Sequence, residues 1–94
     1  MKARLLLDER HQVTAEGFAE LRIWNVPESV RGSAHRLKYA LAYVVAGTCV
    51  LRYDNEAGKG DHRRLGADET PYRFTTPEQL LADFWQDVDG WKPT

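Results

Sequence analysis

At 94 residues, 43% hydrophobic and a net charge of −1, the chain is long enough to bury one modest core and too short for two. Its single cysteine, Cys49, excludes an intrachain disulfide and an intrachain cysteine-based zinc site, in keeping with a reducing compartment. Near the N-terminus only three large apolar residues, 5–7, run together, too few for a signal peptide or a membrane span, so one soluble, cytoplasmic domain over residues 1–94 is expected.

Residues 3–13 alternate, with Leu5, Leu7 and Val13 on one side and Arg4, Asp8, Arg10 and Gln12 on the other. Thr14–Gly17 reads as a turn. Residues 18–26 resume the alternation, with Leu21 and Ile23 toward a core and Glu20, Arg22 and Trp24 away from it. Pro27 closes this hairpin because it has no N–H for a ladder. After a loop over 28–34, a strand is expected over 35–45, with Leu37, Tyr39, Leu41, Tyr43 and Val45 inward and Arg36, Lys38, Ala40 and Ala42 outward. A three-residue turn at Ala46-Gly47-Thr48 sets Tyr43 beside Leu51 and Leu41 beside Tyr53. It places Cys49, Leu51 and Tyr53 inward, and Val50, Arg52 and Asp54 outward with Lys38. A short third hairpin is expected from His62–Leu65 and Pro71–Thr75 across residues 66–69. The last element is a helix: Thr76 is an N-cap, Pro77 takes the first helical position, Gln79 completes a capping box, and Gly90 is a stop. Leu80, Leu81, Phe84, Trp85 and Val88 form its apolar stripe. The expected class is α+β: an antiparallel sheet of about five or six strands built from hairpins, covered on one face by the C-terminal helix.

Chemistry-bearing residues concentrate in RYDNEAGKGDHRR, residues 52–64. Gly58 and Gly60 flank Lys59, so successive amides can form a small anion nest with a cation at its centre. The spacing is not that of a P-loop, and a flexible polar turn accounts for GKG equally well. His62 is the side-chain type that moves protons near neutral pH, and Asp61 precedes it. Arg63 and Arg64 can fork onto phosphate, although solvated arginines are the commoner case. Asp54, Glu56 and Asp61 are carboxylates that can hold a magnesium ion or pair with neighbouring Arg and Lys, and the basic neighbours favour pairing. His35 and Lys38 lie at the entry to the preceding strand. Gathered at one end, His35, Lys38, Lys59, His62, Arg63 and Arg64 supply base, acid and phosphate clamps for RNA cleavage that needs no metal or other cofactor.

The runs SAHRLKY, RYDNEAGKGDHRR and PYRFTTPEQLLADFWQDV resemble the TumE family of toxins from bacterial toxin–antitoxin pairs. The matching positions are His35, Lys38, Tyr39, Tyr53, Asp54, Asn55, Lys59, Gly60, Asp61, His62, Pro71, Tyr72 and Phe74, spread over nearly the whole chain. Family sequences often carry a second histidine where Arg64 stands here. The resemblance implies a toxin with a cognate antitoxin, commonly one bearing a helix-turn-helix region; a homodimer is a further expectation.

Three functional readings follow. In the first, the chain cuts RNA, with His62, His35, Lys59 and Asp61 as catalytic groups and Lys38, Arg52, Arg63, Arg64, Gly58 and Gly60 on phosphate, supported by Tyr53, Asp54 and Asn55. In the second, it is a non-enzymatic toxin that binds and blocks a topoisomerase or the ribosome. In the third, it is a partner-binding module marked by exposed Trp24 and Trp91.

Overall fold

The computed structural model describes residues 3–56 and 60–93. Six strands and one helix follow in order: β1 (Arg4–Gln12), β2 (Gly17–Asn25), β3 (Leu37–Val45), β4 (Thr48–Asp54), β5 (His62–Leu65), β6 (Asp68–Pro71) and α1 (Pro77–Gly90). Every strand pairs antiparallel with its neighbours in sequence, giving one sheet in the order β1-β2-β3-β4-β5-β6. The α+β expectation holds.

The helix covers one face. Leu80, Phe84 and Val88 are buried against Ala19, Leu21, Ile23, Tyr39, Leu41, Tyr43, Leu51 and Tyr53. Polar ties reinforce this packing. The Tyr53 hydroxyl donates to Asp87 Oδ2 at 2.5 Å, Arg63 Nε donates to the same oxygen at 2.6 Å, and the Tyr72 hydroxyl donates to Asp83 Oδ2 at 2.6 Å. Asp87 thus anchors the helix to β4 and β5, and Asp83 anchors it to the segment after β6. Trp91 packs edge-on against Tyr43, with ring centroids 5.9 Å apart, beside the helix end. Among the described residues, no helix covers the opposite face of the sheet.

Five details differ from the sequence-based expectation. First, β3–β4 turns through two residues, Ala46 (φ +50°) and Gly47 (φ +81°), the pair of positive angles that suits a tight hairpin. Tyr43 still faces Leu51 and Leu41 still faces Tyr53, but Val44 pairs with Cys49, so Val50 is the extra residue of a bulge. Val50 then packs against the core while Cys49 joins the open face, the reverse of the expected assignment. Second, a like shift between Leu5 and Leu7 leaves Leu5 opposite Trp24 and half-exposed, whereas Leu7 faces Ile23 and packs inward. Third, the last hairpin turns at Gly66-Ala67 and its second strand is Asp68–Pro71, not Pro71–Thr75. Residues 72 and 74 are freed to pack on the core. Fourth, Thr76 Oγ1 accepts from Gln79 N at 3.1 Å, but the Gln79 side chain turns forward to Asp83 Oδ1, so only half of the capping box forms. Fifth, the strand expected from residue 35 begins at Leu37, because His35 bends the chain by accepting the Leu37 N–H at its own Nδ1.

Gly60 is fixed by geometry. Its φ is +83°, and a Cβ there would lie 2.8 Å from the Gly32 carbonyl oxygen, a backbone atom that cannot swing aside. Gly60→Ala is expected to cost on the order of 2 kcal/mol, read as a lower urea midpoint with an unchanged slope. An unchanged midpoint would mean that the 28–34 loop yields freely.

Candidate functional site

Strand pleating sends neighbouring residues to opposite faces, and this divides the charged stretch in two. On the open face, the β4–β5 register sets Asp54 opposite His62 and Arg52 opposite Arg64. His62 Nε2 lies 2.7 Å from Asp54 Oδ1 and 3.5 Å from Glu69 Oε1, while Nδ1 lies 3.1 Å from the Gly60 carbonyl oxygen. The carbonyl only accepts, so Nδ1 carries a proton. The Asp54 contact has ion-pair distance without hydrogen-bond alignment, so Oδ1 of a carboxylate only 6% exposed has no aligned donor among the described residues. Asp54 Oδ2 accepts a short bond from Arg52 Nε. Arg52 also reaches Glu56 at 3.4 Å, and Lys38 reaches Glu56 at 3.5 Å. Arg64, two residues along the same face, makes no ion pair with a described residue. Asp61, His62, Glu69, Thr70 and Pro71 line a shallow cleft at this end of the sheet.

On the helix side lies a second constellation. Asp61 accepts from Ser33 Oγ at 2.5 Å, from His35 Nε2 at 2.7 Å and from the Tyr39 hydroxyl at 2.7 Å. Since Leu37 N–H donates to His35 Nδ1, the His35 tautomer is fixed with its proton on Nε2. The imidazole stacks on Phe74, centroids 3.8 Å apart and planes at 23°. Asn55, fully buried, accepts from Tyr39 N and donates to Leu37 O and Ser33 Oγ. Burial alone raises the Asp61 carboxyl, but hydrogen bonds from Ser33, His35 and Tyr39 outweigh it and hold the group below the usual carboxylate range. Burial, with Asp61 as acceptor, pushes the Tyr39 phenol far up, so it stays protonated.

The structure pairs His62 with Asp54 across the ladder, and Asp61 with His35. The single cluster expected from His35, Lys38, Lys59, His62, Arg63 and Arg64 is split: His62, Lys38, Arg52 and Arg64 share the open face, whereas His35 and Arg63 lie on the helix side, Arg63 held by Asp87. Tyr53 belongs to the core and ties the helix, and Asn55 staples the 28–36 segment. Gly60 sits against the Gly32 backbone. Lys59 and Gly58 lie outside the described residues. Asp54 and Asp61, weighed as joint magnesium ligands, face opposite sides of the sheet. Among the described residues, no helix is long and apolar enough to cross a membrane.

Ser33, Tyr39, Phe74 and Glu69 complete these constellations and went unassigned. Their partners are 28, 22, 39 and 7 positions away, and only the His62–Pro71 pairing of β5 with β6 brings Glu69 over His62.

No curated protein and no solved structure matches the chain. A family model described as Toxin TumE matches residues 2–92, almost the full length. The chain belongs to the TumE toxin family.

Proposed function

We propose that this toxin arrests growth by cutting RNA without a metal ion, with His62 as the proton-transferring group. The observation that carries the reading is the His62–Asp54 pair on the open face, with Arg64 beside it making no ion pair with a described residue. The RNA itself supplies the nucleophile. A base removes the 2′-hydroxyl proton, O2′ attacks the adjacent phosphorus, and the P–O5′ bond breaks as an acid protonates O5′, leaving a 2′,3′-cyclic phosphate and a 5′-hydroxyl. His62 lines the cleft, and its Nε2 is the atom that gives or takes such a proton, leaving Asp54 for the substrate as it does so. Arg64 and Arg52, cross-strand neighbours on the same face, are the cations that take the charge gathering on an equatorial phosphate oxygen. His35, stacked on Phe74 and bonded to Asp61 and the Leu37 N–H on the helix side, away from Arg52 and Arg64, serves as a clamp. Lys38 lies farther along the same face. The partner we propose is a cognate antitoxin, of the kind that carries a helix-turn-helix region.

The test is purified protein incubated with RNA in excess EDTA. Fragments ending in 2′,3′-cyclic phosphate are the expected result. Intact RNA from a protein that nevertheless stops growth would favour the blocking reading. That alternative has its own support, because Arg22, Lys38 and Arg52 are already paired with carboxylates and leave the open face close to neutral.

A further inference from the structure

Next to the His62–Asp54 pair the open face has a groove that the proposed chemistry does not use. Ala40 and Ala42, two of the outward residues of β3, form its floor. Neighbouring strands raise larger side chains around it: Glu20, Arg22 and Trp24 on one side, Arg52 and Glu56 on the other. The space is about 330 Å³, enough for one planar heterocycle. Trp24 forms an aromatic wall, steadied by Lys38 Nζ 5.3 Å from its ring centroid. Arg52 belongs to both places, since it lines the groove and holds Asp54, which faces His62. A ligand in the groove therefore touches the arginine that holds Asp54, the partner of His62.

We infer that the open face binds single-stranded RNA with a guanine in this groove and the adjoining phosphate at His62. The inference rests on the RNA reading above. A flat sheet face with an aromatic wall suits an unstacked base and offers nothing to a base inside a duplex. Two carboxylates at the groove, Glu20 and Glu56, are acceptor-only groups. Their contacts to cations are long, 3.7 Å for Glu20–Arg22 and 3.4 and 3.5 Å for Glu56 with Arg52 and Lys38, so lone pairs remain to accept. Guanine is the base whose pairing edge presents adjacent N–H donors, N1–H and N2–H₂, to one carboxylate. Uracil sets two carbonyl oxygens around its single N–H and is repelled.

Wild-type protein is titrated by fluorescence anisotropy with labelled uridine oligonucleotides holding one central guanine, adenine or uridine. All riboses are 2′-O-methylated, so that the nucleophile is capped and nothing is cut. Guanine is expected to bind roughly tenfold tighter than uridine, and the same sequence as a duplex to bind more weakly. Ala42→Trp, which fills the groove, is expected to erase the preference. Trp24→Leu, which removes the aromatic wall, provides a second variant should the first misfold. Equal affinity for all three oligonucleotides, or a guanine preference that survives both variants, overturns the inference. The two readings fail separately. RNA cut by wild type without preference for guanine removes the groove and keeps the cleavage, whereas guanine-selective binding by a protein that never cuts RNA keeps the groove and removes the cleavage.

Discussion

His62→Gln is expected to abolish the growth arrest caused by expressing the wild-type chain. Glutamine keeps an N–H donor that can face Asp54, so the carboxylate is not stranded, and it cannot shuttle a proton. The loss of one positioned acid or base lowers such a reaction by about 10²–10⁴-fold, enough to turn arrest into normal growth. The cost to stability is expected to stay below about 1.5 kcal/mol, because one side-chain contact is exchanged for another at a site near the sheet's end. The measurement pairs growth after induction with a urea midpoint on the purified variant. Lost arrest with a near-native midpoint assigns the defect to chemistry. Arrest that persists in His62→Gln would rule out His62 as the proton carrier and turn attention to the open face as a binding epitope. A collapsed midpoint would move His62 into the structural class with His35.

Asp61→Ala carries the largest expected effect on the fold. Three donors converge on this carboxylate, from Ser33, His35 and Tyr39, and Tyr39 is fully buried. Alanine leaves those donors without an acceptor and releases the 28–36 segment from β5. A loss of about 3 kcal/mol is expected, a large part of the stability of so small a domain. The pH profile supplies a second readout. The folded-state pKa of Asp61 lies below the unfolded value of about 3.9, so its stabilisation is fully present above that value and is lost as pH falls through the folded pKa. The stability gap between wild type and Asp61→Ala is therefore expected to be constant near neutrality and to close below about pH 4. A gap that persists unchanged into acid would mean that the ionised carboxylate is not what holds the segment.

Much of the fold was legible in the sequence because side-chain periodicity carries it. The inward set Leu37, Tyr39, Leu41, Tyr43 gave the phase of the third strand, and the Tyr43–Leu51 and Leu41–Tyr53 pairings expected from a three-residue turn stand because a two-residue turn plus the Val50 bulge gives the same offset. Thr76, Pro77 and the stripe from Leu80 to Val88 fixed the helix and the face that it buries. Both bulges fall where alternation has no phase: residues 5–7 are three leucines, and Cys49, Val50 and Leu51 are consecutive apolar residues. Either register buries something there, so the choice passes to turn geometry and to packing under the helix.

The candidate site divides along the same line. The sequence by itself determined which residue types sit together near the end of β4 and the start of β5, because they are adjacent in the chain. It also determined that Lys38, Arg52 and Asp54 share a face, because that follows from period two. Only the tertiary structure decided the partners. Asp61 and His62 are bonded neighbours whose side chains leave the backbone in opposite directions, so each finds its mate on another segment: His35, 26 positions back, for Asp61, and Asp54 across the ladder for His62. Charge composition cannot encode that exchange, since it depends on where the 28–36 segment returns to the sheet and on which face the helix leaves open.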